Sequence, residues 1–341
     1  MATNKIIRSI CIYGENTLEQ KPDILASVER QLFEKGYTIQ TKRCVFASHD
    51  VLRISQEYKP HGLFLSLGRF SLEEYISISQ EYLNTKNINV QIDLTSSPIN
   101  KAVADALFEV VNMSPQNTFR FAFTFNNPPS SPYFPSATYE KDGYSIGLQS
   151  PDLSSECKTL EEWLSEMKDT WQEIYDLFHD DPLFLGIDSS IAPLGIGNGS
   201  LINFVKRLGF TFNRSILSNL YTQMTHFIKH NNPRPVGLCG MMLPCLEDFE
   251  LANEYELGNF DIKTNLFLSL HSGLGIDTYP IGIDENKEHI INILKLVQAL
   301  SRKYTKPLSV RFVSDGKARI GENTDFQNPY LKDVKIRPIL P

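Results

Sequence analysis

Four carboxylates lie at the ends of apolar segments, where a sheet most readily presents reactive groups. They are Asp188, Glu247, Asp248 and Asp277. Carboxylates that meet at one end of a sheet can divide general acid and base roles, or they can share a divalent cation. The sequence therefore predicts a catalytic set that contains all four, with Asp188, Asp248 and Asp277 as metal-ligand candidates. In the alternative interpretation, Asp248 and Asp277 cap the helix or turn that follows them.

His271 and Cys239 are two further groups that could react. His271 precedes Ser272 on the same predicted strand end as Asp277, where an imidazole would suit a general base or a metal ligand. Cys239 lies in a glycine-bracketed turn, but a thiol needs a cationic neighbour or a helix N-terminus to become a nucleophile. Packing as a small apolar residue is therefore the favoured interpretation for Cys239. We therefore place His271 in the catalytic set. Cys239 and Ser272 are predicted to be substrate-binding residues.

A glycine-rich loop and several cations could hold an anion. Segment 195–200 opens a predicted helix, so its amides, with Asn198 and Ser200, could face a negatively charged group. The loop lacks both the dinucleotide fingerprint and the P-loop lysine, so neither cofactor class is supported. Arg311, flanked by apolar residues on a predicted strand, and Lys317 could add positive charge. Solvent-exposed side chains are the alternative for such cations.

Strands and helices that alternate along the chain are predicted to position these groups. The first third of the chain repeats apolar, β-branched stretches and amphipathic stretches, and this rhythm favours parallel strands with crossover helices. Ser71 is predicted as a helix N-cap, and the proline-rich stretch within 119–136 as a long structured loop. Later strands are predicted at 184–188, 236–248, 266–277 and 308–313, and helices at 160–179, 198–208, 215–229, 246–256 and 287–303.

Composition excludes several classes of protein. A net charge of −7 without a lysine and arginine cluster argues against a nucleic-acid groove. The five cysteines are scattered and form no C-x-x-C pair, which favours free thiols in a reducing compartment. No apolar stretch reaches the roughly 18 to 20 residues that a membrane span requires, and the first residues lack the features of a signal peptide. We therefore expect a cytoplasmic protein without a nucleic-acid or membrane partner.

Four ordered segments carry a resemblance to a known family. They are 131–137 (SPYFPSA), 186–193 (GIDSSIAP), 237–248 (GLCGMMLPCLED) and 273–280 (GLGIDTYP). Together they resemble the uncharacterised domain of unknown function 711 family over most of the chain. The resemblance implies an α/β fold, a β/α barrel similar to that of the pyruvate formate-lyase-type glycyl radical enzymes. It does not imply a glycyl radical, because segment 310–321 has no equivalent of the radical loop.

The sequence also departs from the pattern of that family. Ser272 stands where many relatives have cysteine, and Cys239 stands where relatives have serine in the first glycine bracket. If a thiol is functional here, its position has moved. The interpretation that we favour is that the thiol is dispensable.

These observations combine into one hypothesis. We expect a single barrel-like domain over residues 1–341, with an N-terminal α/β portion at 1–118 and the family motifs at 119–341. The leading hypothesis is an enzyme that acts on a small anionic metabolite by acid/base or metal-assisted chemistry. A non-catalytic, ligand-binding or regulatory protein is the alternative. The cofactor stays unknown, a divalent metal is one candidate, and a homodimer is a further expectation.

Overall fold

The strands form one mixed sheet. The computed structural model describes residues 5–14, 21–48, 50–58 and 62–340. Its strands in the described residues are β1 (Lys5–Gly14), β2 (Tyr37–Ile39), β3 (Lys42–Phe46), β4 (Phe64–Phe70), β5 (Ile88–Asp93), β6 (Phe121–Phe125), β7 (Gly143–Leu148), β8 (Phe184–Asp188), β9 (Gly275–Pro280) and β10 (Leu308–Val313). The sheet order is β8-β7-β1-β3-β4-β5-β6-β10-β9, with β2 paired to β1. The α/β class predicted from the alternating signals is therefore confirmed.

Helices connect and cover the strands. They are α1 (Lys21–Glu34), α2 (Val51–Glu57), α3 (Leu72–Leu83), α4 (Lys101–Met113), α5 (Leu160–Phe178), α6 (Leu201–Arg207), α7 (Phe212–Ile216), α8 (Leu220–Asn231), α9 (Phe249–Glu256), α10 (Ile262–His271) and α11 (Lys287–Tyr304). Ser71 caps α3 as predicted, since its hydroxyl accepts from the Glu74 amide while the Glu74 carboxylate accepts from the Ser71 amide. None of the described helices combines the length and the apolar character that a membrane crossing requires.

Two groups of strands run in opposite directions. Strands β1 and β3 to β6 are mutually parallel. Strands β7 and β8 are parallel to each other, as are β9 and β10, and these pairs join the first group through antiparallel contacts of β7 with β1 and of β10 with β6. As a result, the amino ends of β3 to β6 and the carboxyl end of β10 lie at the same side of the sheet.

The hydrogen-bonded sheet does not close on itself, so the predicted barrel is not confirmed. Its path ends at β8 and β9, which are not paired with each other. The predicted strand at 236–248 is not a regular strand, because Pro244 has no amide to donate and Gly237 and Cys239 adopt positive φ angles. The segment instead makes isolated parallel bridges, Ile187↔Pro235, Ile191↔Met241 and Gly195↔Asp248 on one side and Met241↔Gly273 and Pro244↔Asp277 on the other.

The predicted strand at 266–277 was wrong over most of its length. Residues Ile262–His271 form α10, which Asp261 caps by accepting a hydrogen bond from the Thr264 amide. The cap lies ahead of the apolar run and nucleates a helix there. Strand β9 begins only at Gly275. His271 therefore ends a helix and does not lie on the strand that carries Asp277.

Most of the core lies between the sheet and the helices. Trp163 and Trp171 on α5 are fully buried there. A smaller cluster packs on another face of the sheet and comprises Cys11, Tyr13, Val45, Ala137 and Leu185. It is covered in part by the loop after β6, from which Phe134 and Tyr139 contact the cluster. The loop predicted at 119–136 therefore begins with β6 and continues as a packed segment.

Candidate functional site

Two arginines and two carboxylates form a buried charged cluster between β1, β9 and β10. Arg8 Nη2 donates to Glu247 Oε2 at 3.0 Å, and Arg311 Nη2 donates to Glu247 Oε1 at 2.5 Å. Arg311 Nε also donates to Asp277 Oδ1 at 2.6 Å. Both oxygens of Glu247 are thus bound by guanidinium groups, whereas Oδ2 of Asp277 has no hydrogen-bond partner among the described residues.

Arg311 is held by more than its ion pairs. Its guanidinium lies 4.9 Å from the centre of the Phe119 ring, and its Nη1 donates to the Phe119 carbonyl. Burial alone would lower the pKa of Arg311, but the carboxylates of Asp277 and Glu247 raise it above its ordinary value. The cluster therefore keeps this arginine charged and in a fixed orientation.

Arg43 is a third buried arginine, and its acceptors in the described part of the chain are uncharged. It is 8% exposed, and no carboxylate oxygen of the described residues lies within ion-pair distance of it. It donates to Thr41 Oγ1 at 3.0 Å and to the Pro132 carbonyl at 3.1 Å, and it lies over the Phe134 ring. Burial, and then the nearby charge of Arg8, lowers the pKa of Arg43 to about 10. The charge of Glu247 opposes this fall without a direct contact. A buried guanidinium whose acceptors among the described residues are uncharged is a natural point for binding an anion.

Two adjoining cavities reach this cluster. An inner hollow of about 50 Å³ contains Asp277, and an outer cavity of about 650 Å³ lies at the amino ends of β3 to β6. Both are lined by Arg8, Arg43, Phe134, Glu247 and Arg311. The outer cavity has the size of a small-molecule site. Its position differs from the strand ends predicted from the sequence, because the two groups of strands run in opposite directions.

Asp188 lines neither cavity. Its Oδ2 accepts from Ser131 Oγ and from the Leu238 amide, and its Oδ1 accepts from the Ser190 hydroxyl, the Ser190 amide and the Cys239 amide. A Cβ at Gly237 would overlap this carboxylate, which explains the glycine. Burial raises the pKa of Asp188, and four of these donors, the two hydroxyls and the amides of Leu238 and Cys239, oppose the rise. The structure therefore places Asp188 as a link between three segments of chain.

Asp248 caps two helices at once. Its carboxylate accepts from the Glu250 and Leu251 amides at the start of α9, and from the Leu201 amide at the start of α6. It also accepts from Ser200 Oγ at 2.5 Å. Of the two interpretations offered for Asp248, the capping one is confirmed. Asp277 does not cap a helix and is the predicted acid that reaches the inner hollow together with Glu247.

Replacing Asp248 with alanine is expected to lower the free energy of unfolding by about 2–4 kcal/mol, because each lost cap costs about 1–2 kcal/mol. Burial raises the pKa of Asp248 to about 6, above an unfolded value of about 4. The folded state therefore holds the extra proton between these values, and ionisation of Asp248 lowers stability as the pH rises through this window. The difference between wild type and Asp248→Ala in urea denaturation should be larger at pH 4 than at pH 7.

A single-helix cap provides the control for that experiment. Asp261 caps only α10, and Asp261→Ala should cost about 1 kcal/mol. A stability difference for Asp248→Ala that grows between pH 4 and pH 7 would contradict the raised pKa.

His271 and Ser272 lie outside both cavities. His271 Nδ1 contacts Ser272 Oγ at 2.8 Å, and Ser272 Oγ in turn contacts Thr225 Oγ1 at 3.2 Å. Burial, and then the charge of Lys306, lowers the pKa of His271. The predicted pairing of His271 with Asp277 is thus not formed.

The other predicted binding residues are dispersed. Cys239 lines neither cavity, and burial followed by the charge of Asp188 raises the pKa of its thiol to about 11, so it is not an activated nucleophile. Ser200 caps α6, and Asn198 lies in the short 3-10 turn before it, away from both cavities. Lys317 lines the outer cavity, where its side chain is 73% exposed and lies 3.8 Å from Asp325.

The candidate metal ligands do not converge. Asp188 is bound by the chain around residues 131, 190 and 238, Asp248 by two helix starts, and Asp277 by Arg311. Within the described ranges no group of three histidine, cysteine, aspartate or glutamate side chains is arranged to hold a metal ion. The residues proposed from the sequence thus do not fit a shared cation.

Comparison with known proteins identifies the family. Residues 71–327 match the family described as Uncharacterised ACR (DUF711), which is more than half of the chain. The chain belongs to this family. No curated protein sequence matches it. Among solved structures, a putative prephenate dehydrogenase from Corynebacterium glutamicum aligns over 91% of this chain and 99% of its own, with 12% identity and a TM-score of 0.19, too low to support an inference.

Two of the three arginines precede the segment that matches DUF711. Arg8 and Arg43 lie before residue 71, whereas Glu247, Asp277 and Arg311 lie within the match. Sequence reasoning missed Arg8 and Arg43. The signal was present for Arg8, which interrupts an apolar, β-branched stretch that forms a strand, as Arg311 does in β10. The signal was weaker for Arg43, which follows Lys42 at the start of β3 and directly precedes an apolar run. A charged residue inside such a strand must find a partner or face a cavity.

Proposed function

We propose that this chain binds a small anionic metabolite in the two arginine-lined cavities, and that Asp277 exchanges a proton with it. The ligand would place its negative group against Arg43 and its body in the outer cavity. Glu247 would hold Arg8 and Arg311 in position. The family assignment leaves the activity open, so the proposal rests on the geometry of this cluster.

The observation that carries the proposal is the unpaired charge of Arg43. Glu247 forms ion pairs with Arg8 and Arg311, but within the described residues Arg43 has only a hydroxyl and a backbone carbonyl as acceptors. The inner hollow thus joins three guanidinium groups to two carboxylates. An anion that entered would balance the excess positive charge and could accept charge-assisted hydrogen bonds.

Asp277 is the best-supported proton-transfer group. Its side chain is 21% exposed, its Oδ1 is fixed by Arg311, and its Oδ2 is available to a ligand in the inner hollow. A carboxylate that is oriented by one oxygen and free at the other can take or return a proton within hydrogen-bond reach. Glu247 is less suited to this role, because both of its oxygens accept from arginine.

We also propose that the sheet closes into a barrel around this cluster. Support comes from Met241, which makes parallel bridges with both Ile191, after β8, and Gly273, before β9. Segment 235–248 would then occupy the gap between β8 and β9. In that arrangement the side chain of Glu247 would point from this segment into the barrel interior, where it pairs with Arg8 and Arg311.

A non-catalytic binding protein is the second candidate function. It is favoured by the positions of Asp188, Asp248 and His271, three residues of the predicted catalytic set that line neither cavity. A sensor would need the arginines and the cavities but no proton-transfer group. Its signature would be tight binding without conversion of the ligand.

The proposal is tested by screening small carboxylates and phosphate esters for an increase in the melting temperature. Wild type is expected to be stabilised by a subset of these anions, and Arg43→Met should lose that stabilisation. Arg214, an exposed arginine without an ion pair among the described residues, gives the matched control, and Arg214→Met should respond as wild type does. Equal responses of wild type and Arg43→Met to every anion would refute the proposed site.

Asp277→Asn separates the two candidate functions. Mass spectrometry of each stabilising anion after incubation should detect a product with wild type and none with Asp277→Asn, while both proteins still bind. Binding by wild type without any product would assign the sensor function.

Location and assembly are also proposals. All five cysteines are free in the structure, which supports a reducing compartment such as the cytoplasm. A homodimer remains a prediction from the sequence.

A further inference from the structure

Unpaired cations occur at two separate places along the outer cavity. Arg43 lies at the inner end, next to the charged cluster, while Lys86 and Arg120 line the cavity near the starts of β5 and β6. Arg120 Nη1 donates to the Gln116 carbonyl at 3.1 Å. Within the described part of the chain, neither Lys86 nor Arg120 has a carboxylate at ion-pair distance.

The carboxylates that line the same cavity are already occupied. Glu247 is bound by two arginines. Asp315 accepts from the Lys317 and Ala318 amides through Oδ1 and from the Asp325 amide through Oδ2. Asp325 lies near Lys317 and accepts from the Gln327 side chain. None of these three acids lies within ion-pair distance of Arg43, Lys86 or Arg120.

Aromatic rings line the same cavity. They include Phe64 at the start of β4, Phe119 just before β6 and Phe134 in the loop after β6. The chain after β10 contributes Phe326 and Tyr330. All five rings keep part of their surface exposed. Phe134 and Phe119 also lie beneath the guanidinium groups of Arg43 and Arg311. Such a wall favours a flat or apolar body over a small hydrated ion.

The register of the strands sets the spacing of the two cationic places. Arg43 of β3 pairs with Phe64 of β4, and Arg120 directly precedes the residue of β6 that pairs with Val90 of β5. Three strand-to-strand steps of about 4.8 Å give roughly 14 Å along the sheet. Both residues line the same cavity, so one small molecule of this length could reach both places.

We infer that the ligand carries two anionic groups at opposite ends of an apolar or aromatic body. One group binds Arg43 and the inner hollow, and the other binds Arg120 and Lys86 at the outer end. This inference rests on the proposed function, because it takes the same cavity as the binding site. It adds the chemical class of the ligand, which the unpaired charge of Arg43 alone does not define.

Biphenyl dicarboxylate and biphenyl monocarboxylate provide a matched pair of probes for isothermal titration calorimetry. Wild type is expected to bind the dicarboxylate at least ~10-fold more tightly than the monocarboxylate, because only the former can engage both cationic places. Arg120→Gln combined with Lys86→Gln should remove this advantage and leave monocarboxylate binding unchanged. Arg43→Met should weaken the binding of both probes, and Arg214→Gln should change neither.

The outcomes distinguish failure of the dianionic-ligand inference from failure of the proposed function. Equal affinity of wild type for the two probes, with both lost in Arg43→Met, would overturn the dianionic ligand and leave the proposed function standing. An advantage of the dicarboxylate that persists in the Arg120 and Lys86 double variant would also overturn it. If Arg43→Met binds both probes and every screened anion as wild type does, the proposed function itself fails.

Discussion

Replacing Arg311 with methionine is expected to lower the free energy of unfolding by about 3–5 kcal/mol. The change removes the partner of two carboxylates, Glu247 and Asp277, in a place where Arg311 is only 7% exposed. Removing one member of a buried ion pair leaves an uncompensated charge, and the cost is much larger than the net contribution of the pair. Glu247 keeps Arg8, but Asp277 is left without a cationic partner among the described residues.

Urea denaturation measures this loss, and Arg53 provides a matched control. Arg53 also pairs with two carboxylates, Asp50 at 3.1 Å and Glu57 at 3.0 Å, but its side chain is 43% exposed. Solvent screens such pairs, so Arg53→Met should cost about 1 kcal/mol or less. Similar losses for the two variants would show that the cluster around Arg311 is not a buried ion-pair network.

A second substitution shows which unpaired carboxylate lowers the free energy of unfolding of the Arg311→Met variant. Asp277→Asn introduced into the Arg311→Met variant should recover part of the lost stability, because it removes the unpaired charge. The two changes should therefore be strongly non-additive, as expected for side chains in direct contact. Additive losses would mean that Arg311 stabilises the fold through packing on Phe119.

Strands with a simple local pattern could be predicted from the sequence. The predictions at 184–188 and 308–313 match β8 and β10 residue for residue, because each is a short apolar run bounded by turn residues or proline. The run at 266–277 failed because its apolar residues suit either element, and the deciding signal was the Asp261 cap further upstream. The bridges that segment 235–248 makes with residues 187, 191, 195, 273 and 277 could not be predicted, because single bridges depend on partners distant in sequence.

The candidate site shows the same division between local and distant interactions. The capping role of Asp248 could be stated in advance, since the amides of α9 follow it directly in the chain. The contact of Arg8 with Glu247 joins residues 239 positions apart and has no local signature. Two acids adjacent in sequence, Glu247 and Asp248, thus have different surroundings, one in the arginine cluster and the other at two helix starts.

Replacing Arg43 with methionine is expected to separate binding from stability. Binding of the stabilising anion should weaken by ~30-fold or more, because the ligand loses a buried, charge-assisted partner. The free energy of unfolding should stay within about 1 kcal/mol of wild type. Among the described residues, no carboxylate would lose an ion pair with Arg43. Methionine, an apolar side chain of similar length, removes a buried charge at the cost of two hydrogen bonds, to Thr41 and Pro132.

Calorimetric titration of the anion and urea denaturation of the free protein together check this prediction. Arg43 and Arg311 both line the two cavities and are similarly buried, so the two methionine variants differ chiefly in whether they leave a carboxylate unpaired. Arg311→Met removes the ion-pair partner of carboxylates and should destabilise the free protein, whereas Arg43→Met should weaken only ligand binding. A loss of several kcal/mol in Arg43→Met without ligand would mean that Arg43 supports the fold, and the unpaired charge would then no longer indicate an anion site.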